Sequence, residues 1–257
     1  MTTPAHYDNY DYEQYWEGRT YEHLAESFTL EKFFEIIGPV TSILDIGAGF
    51  GRLTPKYATY TKKITLLEPS KSLLSIAKKR LLLPDNELVL KQGTIDEVKQ
   101  KIKQKVDVAI LVRVMHHLCE PERSIADVAS VIKPGGYFIV EFANKLHGKA
   151  QIEHICKGNI LYPFDRNPVD KRSKKNKGKK SIAFTNWHPE VIFELLQNNG
   201  FEIIEARSVS NIRSETLKHI LPMWVLLGLE MRLQKVLAKL HFGPSIFVLA
   251  RKGPRSA

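Results

Sequence analysis

VTSILDIGAGFGRL, residues 40–53, is the stretch on which the fold turns. TSILDIG, residues 41–47, is a short apolar run closed by glycine, the pattern of a buried strand. Gly47, Ala48, Gly49, Phe50 and Gly51 follow as a turn whose glycines allow a tight reversal and a close approach to a ligand. A glycine-rich turn by itself is a weak signal, because dinucleotide-binding sheets use G-x-G-x-x-G at the same place. Here the third glycine, Gly51, comes one residue early, and Arg52 stands where close helix–strand packing wants a small residue. Asp45, two residues before the first glycine, suits an ammonium or a polar network better than a pyrophosphate, which it would repel.

Working outward, strand and helix patterns alternate. Residues 22–37 read as an amphipathic helix, 52–59 as a short helix, and 63–69 (KITLLEP) as a second strand. Ser70 is placed to cap a helix on which Leu73, Leu74, Ala77 and Leu81 keep helical spacing. ELVLKQG (87–93) and VDVAILVR (106–113) are the third and fourth strands. Pro121 opens a helix, Lys133-Pro134-Gly135-Gly136 stops it, and YFIVEFA (137–143) is the fifth strand. A helix over 188–199 and strands at 201–209 and 245–251 complete the pattern. Such alternation predicts an α/β fold with a doubly wound, mostly parallel sheet and helices on both faces. Ligands bind such sheets at the carboxyl ends of the strands, near the switch point.

The chain of 257 residues is long enough for one large core, and 43% apolar with 26% charged residues is ordinary for a globular protein. One domain is expected over 1–257, with an N-terminal cap at 1–38 and insertions at 145–187 and 210–243. Seven of the charges behind the net +10 sit in residues 171–180, KRSKKNKGKK, which reads as a solvated loop. Cys119 and Cys156 form no disulfide framework, and no secretory signal is read, so a cytoplasmic protein is expected.

Glu68 ends the second strand 21 residues after Gly47, where a carboxylate can accept hydrogen bonds from ribose hydroxyls. Taken in order, VTSILDIGAGFGRL, LLEPS, VDVAILVRVMHHL and IKPGGYFIVEF resemble the class I S-adenosylmethionine-dependent methyltransferases, of the UbiE and methyltransferase type 11 kind. The likeness covers residues 40–144 well, and the later elements fit the same order. It implies a Rossmann-like seven-stranded sheet with an antiparallel last strand, filled here by SIFVLAR. It implies S-adenosyl-L-methionine as cofactor and S-adenosyl-L-homocysteine as product. Asp45, Gly47, Ala48 and Gly49 would cradle the methionine part, Glu68 the ribose, and Pro69 the adenine. Thr94 stands where relatives often carry an adenine-binding aspartate, so its hydroxyl and the Ile95 backbone would take that contact. Val112 and Arg113 would offer carbonyls to the ammonium; Arg19 and Tyr15, in a cap-like segment, would reach the carboxylate.

Methyl transfer is an in-line displacement that needs alignment and, for some nucleophiles, a base. His116 and His117 follow the fourth strand and are the candidates, set against purely structural roles. No metal is expected, since His154, Cys156 and His188 match no standard spacing. HILPMWVLLGLEMRLQKVLAKLHF (219–242) is apolar with Arg232, Lys235 and Lys239, and reads as a lid, an interfacial helix or a packed helix. The acceptor expected is a small or lipophilic molecule, with peripheral membrane contact through 214–240. The alternatives are an RNA methyltransferase or basic RNA-binding protein on this fold, and an NAD-dependent oxidoreductase.

Overall fold

The computed structural model describes residues 12–173 and 183–254. Tyr7 and Tyr10 of the cap, and the lysine run from residue 174 on, lie outside the described residues.

Seven strands form one sheet: β1 (Val40–Ile46), β2 (Thr61–Glu68), β3 (Glu87–Gln92), β4 (Val106–Leu111), β5 (Ile132–Ala143), β6 (Phe201–Val209) and β7 (Ser245–Lys252). Their order is β3-β2-β1-β4-β5-β7-β6. Pairings among β1 to β5 are parallel, and β7 runs antiparallel to both β5 and β6. The order reverses between β1 and β4, which puts the switch point at the glycine turn.

Alternate strand residues feed two cores. Leu44, Ala109, Leu111, Phe138, Val140 and Val248 pack on one face against α4 (Pro121–Val131) and α6 (Pro189–Asn198). Ile43, Ile64, Leu66, Ile110, Ile139 and Leu249 pack on the other, against α2 (Thr20–Ile37) and α3 (Lys71–Arg80). Ser70 caps α3 by accepting from the Leu73 N–H at 3.2 Å. α1 (Tyr12–Glu17), α5 (Gly148–Cys156), α7 (Glu215–Ile220) and α8 (Met223–Lys239) cluster over the carboxyl ends of the strands or flank the sheet.

Two local expectations are corrected. Residues 52–59 form no α-helix, only 3-10 turns at Thr54–Lys56 and Ala58–Tyr60. Tertiary contacts win there: Tyr57 and Tyr60 pack on Phe34 with centroids 5.7 and 5.3 Å away, and the Tyr57 hydroxyl is drawn down to Asp45. Lys133–Gly136 does not separate helix from strand; it lies within β5 as an irregularity in the β4 register. Gly135 has φ 77°, and a Cβ on Gly136 would lie 2.7 Å from the Asp107 carbonyl, so the crossing needs glycine at both positions.

Insertion 145–187 is tied to the sheet by Lys145, whose fully buried ammonium donates to the Asp165 carboxylate at 2.8 Å and the Asn167 carbonyl at 2.8 Å. Among the described residues no helix is long and apolar enough to cross a membrane.

Candidate functional site

The glycine turn is built from left-handed backbone. Gly47, Gly49 and Gly51 have φ of 70°, 58° and 75°. A Cβ on Gly47 would meet Val114 Cγ2 at 2.3 Å, and one on Gly51 would meet Leu81 Cδ1 at 2.6 Å, so these two positions are crowded as well as left-handed. Glu68, buried at the tip of β2, accepts from the Gly49 N–H and the Ser70 N–H, both at 2.9 Å. One carboxylate thus joins the turn after β1 to the cap of α3.

Asp45 faces beneath the turn. It is buried and accepts from the Tyr57 hydroxyl at 2.6 Å, and Tyr57 in turn contacts Thr54 Oγ1 at 3.1 Å. Burial pushes its pKa from near 3.8 to about 6, against the opposing effects of the Tyr57 hydrogen bond and Arg52. The folded state therefore keeps the proton where the unfolded chain has lost it. This contribution is full below the unfolded pKa and is lost as pH rises through about 6. Asp45→Asn removes the charging cost. The variant's Tm relative to wild type is expected to climb between roughly pH 4 and 6 and level off above. A difference independent of pH in a thermal-melt series overturns this assignment.

The remaining predicted residues fall at the same end of the sheet. Thr94 and Glu97 form a capping box, with the Thr94 N–H donating to Glu97 at 2.9 Å, and Ile95 is buried in the core. The Pro69 carbonyl accepts from Gln92 at 3.1 Å. Ala48 packs against the apolar core beside buried Val112. Arg113 sits in the left-handed region, φ 64°, and its N–H donates to Glu141 at 2.8 Å. Tyr15 stacks on Tyr12, and the Arg19 guanidinium lies 4.2 Å over the Tyr15 ring. Tyr12 approaches Gly49, 3.6 Å from where its Cβ would be, so the cap helix covers the turn. Anything that reaches Gly49 from that side displaces the Tyr12 ring.

Four participants escaped the sequence reading. Glu26 on α2 is fully buried and holds both Arg52 and Arg113, the latter through Nε at 2.8 Å and also through Nη2. The two guanidinium carbons lie 3.5 and 5.2 Å from the Trp16 ring centre. Glu141 on β5 is buried and accepts from Ser245 Oγ at 2.6 Å; burial raises its pKa despite Arg113 and the Ser245 hydrogen bond. Both acids left a trace: Glu26 interrupts the buried stripe of α2, and Glu141 interrupts the apolar run of β5. Asn186 and Ser210 left none.

Beside the carboxyl ends of β4 and β5 opens a cavity of about 650 Å³. Arg19, Arg113, His116 and Glu141 form one part of its wall. The paired histidines differ. His117 Nδ1 lies 2.7 Å from the Ala183 carbonyl, which anchors the ring. His116 lines the cavity and its buried Nδ1 has no partner among the described residues. Burial, with the fields of His117 and Arg113, holds its pKa well below the usual imidazole range. His154, His188 and Cys156 have separate surroundings: His154 stacks on Tyr162, His188 caps α6, and Cys156 is exposed.

Residues 44–140 match the family model described as Methyltransferase domain. Curated relatives include the ubiquinone biosynthesis O-methyltransferases of Coxiella burnetii, 29% identical over 65% of this chain and 66% of that protein, and of Alkalilimnicola ehrlichii, 27% identical over 40% and 42%. The chain thus spans between about two fifths and two thirds of the length of these relatives. Similar solved structures include a magnesium protoporphyrin IX methyltransferase from Synechocystis with bound S-adenosylhomocysteine. It has a TM-score of 0.61 and 15% identity, over 96% of this chain and 97% of that one. A second is an S-adenosylmethionine-dependent methyltransferase from Mesorhizobium loti, TM-score 0.59 and 16% identical over 89% and 98%. At these identities the likeness shows the fold, a Rossmann-like α/β sheet.

Proposed function

We propose, for a chain that carries a methyltransferase domain over residues 44–140, that it moves a methyl group from S-adenosyl-L-methionine to a small-molecule acceptor. The observation that carries this reading is Glu68, a buried carboxylate bridging the Gly49 and Ser70 amides at the strand tip beside the left-handed glycine turn. The residues present fit the cofactor: the turn offers left-handed glycine backbone free of side chains, and Glu68 puts a desolvated acid where ribose hydroxyls would donate.

When bound, the cofactor supplies a methyl already activated on a sulfonium. The chain's own part is to bind and align. Backbone at Gly47–Gly49 and Glu68 would hold the adenosyl and methionine parts. Arg113, its left-handed backbone pinned by Glu141 and its side chain by Glu26, closes the site at the tip of β4. His116, neutral at pH 7 and on the cavity wall, would take the proton that an acceptor hydroxyl or amine releases as its new bond to carbon forms.

Binding is tested by calorimetric titration of S-adenosylhomocysteine. Glu68→Ala is expected to weaken it by about 1–3 kcal/mol, roughly ten- to a hundredfold, as charge-assisted hydrogen bonds are lost and the Gly49 amide loses its acceptor. Unchanged affinity, or stabilisation of the wild type by NAD alone, overturns the reading.

The reading includes a cytoplasmic protein that visits membrane surfaces. Support comes from α8: its buried face carries Glu230 and Gln234, bonded to Tyr21, Ser210 and Arg207, beside Leu226 and Ala238, while Trp224 and Val236 are exposed, Trp224 at 76%. Arg232 and Lys239 lie on the same helix. Vesicles of mixed phosphatidylcholine and phosphatidylglycerol are expected to sediment the protein. Trp224→Ala with Val236→Ala should lower partitioning by at least about tenfold, given the apolar area withdrawn from water. No sedimentation of the wild type overturns the membrane contact.

A further inference from the structure

The cavity wall around His147 has a charge imbalance. Lys149 in the first turn of α5, Lys171 just beyond the short strand Val169–Asp170 of insertion 145–187, and Arg213 before α7 all line it. None of the three has a carboxylate partner among the described residues. The acids nearby are already engaged: Glu22 and Glu215 with Lys218, Glu153 with Lys157, and Glu141 with the Arg113 amide and Ser245. His147 lies among the three cations and itself lines the cavity. Its Nδ1 accepts from the Ala150 N–H at 3.2 Å, which leaves the ring proton on Nε2. Burial, and then Arg213, Lys171 and Lys149, push its pKa down to about 4, so the three positive fields converge on this ring.

A second, independent observation marks the same cavity as built for a ligand. His116 Nδ1, Asn186 Oδ1 and Ser210 Oγ are buried polar atoms with no partner among the described residues, and all three residues line it. Each is more than nine-tenths buried. Unpaired buried polar atoms cost free energy unless something completes them. Three of them around one cavity, beside an uncompensated cation cluster, describe the complement of an anionic, hydroxylated molecule. The apolar side chains of 219–242 that led to an expectation of a lipophilic acceptor are not among this lining.

We propose that the cavity binds the methyl acceptor by a doubly charged oxyanion group held by Lys149, Lys171 and Arg213, with its polar remainder reaching Asn186, Ser210 and His116. The acceptor class is therefore a small phosphate monoester or dicarboxylate. The assignment rests on the methyltransferase reading for the word acceptor, and on the cavity alone for the anion.

The test is a titration of the full chain with inorganic phosphate and with malonate at constant ionic strength, with and without S-adenosylhomocysteine. Saturable binding of either anion beyond a chloride control is expected. Tighter phosphate assigns a phosphate monoester; tighter malonate assigns a dicarboxylate. Lys149→Gln and Arg213→Gln should each weaken binding by roughly tenfold. Their Tm without ligand should hold or rise, because like charges are being separated, and this keeps the result readable as binding rather than unfolding. S-adenosylhomocysteine affinity should be unchanged in both variants. If both anions bind no better than chloride, or bind the variants as well as wild type, the proposal fails. If the anions bind as expected but S-adenosylhomocysteine does not bind the wild type, the anion site stands and the methyltransferase reading falls.

Discussion

Glu26→Ala is expected to cost about 3–5 kcal/mol of folding stability, the range for removing one partner of a buried ion pair. For a chain of this size that is a fall in Tm on the order of 10 °C. Glu26 is fully buried, and burial alone would favour its neutral form; Arg113 and Arg52 outweigh that and hold its pKa below the usual carboxylate range. Burial likewise opposes charge on Arg113, and Glu26 and Glu141 overcome it. Alanine leaves two guanidinium groups against one tryptophan ring with no counter-ion between them. Glu26→Gln keeps an acceptor and loses the charge, so it should fall between wild type and alanine. Urea melts of the three proteins check this. A loss below about 1 kcal/mol for alanine would mean that both arginines find water, as exposed pairs do. The pair also couples fold to site, because Arg113 closes the tip of β4, so cofactor affinity should fall with stability.

His116→Gln should lower kcat by about 10²–10⁴, the usual range for losing a positioned general base, and change S-adenosylhomocysteine affinity little. His117→Gln should cost far less, since its ring is committed to the Ala183 carbonyl. The pH profile carries the distinguishing evidence. With its pKa held well below 6.5 by burial and by its charged neighbours, His116 is neutral across the physiological range. The rate should be flat through neutrality and fall only in acid, as the imidazole takes up a proton. Equal, small losses in both variants would show that alignment alone carries the reaction.

The parts of the fold that could be read in the sequence are those held by local chemistry. The β1 run and the glycines after it mark a buried strand and a left-handed turn, and the φ values of Gly47, Gly49 and Gly51 show that requirement met. The Ser70 cap and Pro121 at the start of α4 follow the same rule. Residues 52–59 did not, because helical spacing there lost to the pull of Phe34 and Asp45 on Tyr57. Thr94 follows the local rule too: it stands after β3 as the cap of a turn, with its amide on Glu97.

The sequence by itself determined the doubly wound sheet and the acid at the tip of β2, while the antiparallel last strand was implied by the family resemblance. Apolar runs, turn glycines and strand ends are properties of neighbouring residues. Only the tertiary structure decided which charges meet. Glu26 finds Arg52 and Arg113 across 26 and 87 residues of chain, and Arg213 faces the cavity wall of Lys149 and Lys171 from another insertion. It alone turned the polar stripe of α8 inward, where Tyr21 and the backbone of Ser210 wait for it. A charge carries no local signature of its partner: its field acts through whatever the folded chain brings near, and burial decides how strongly.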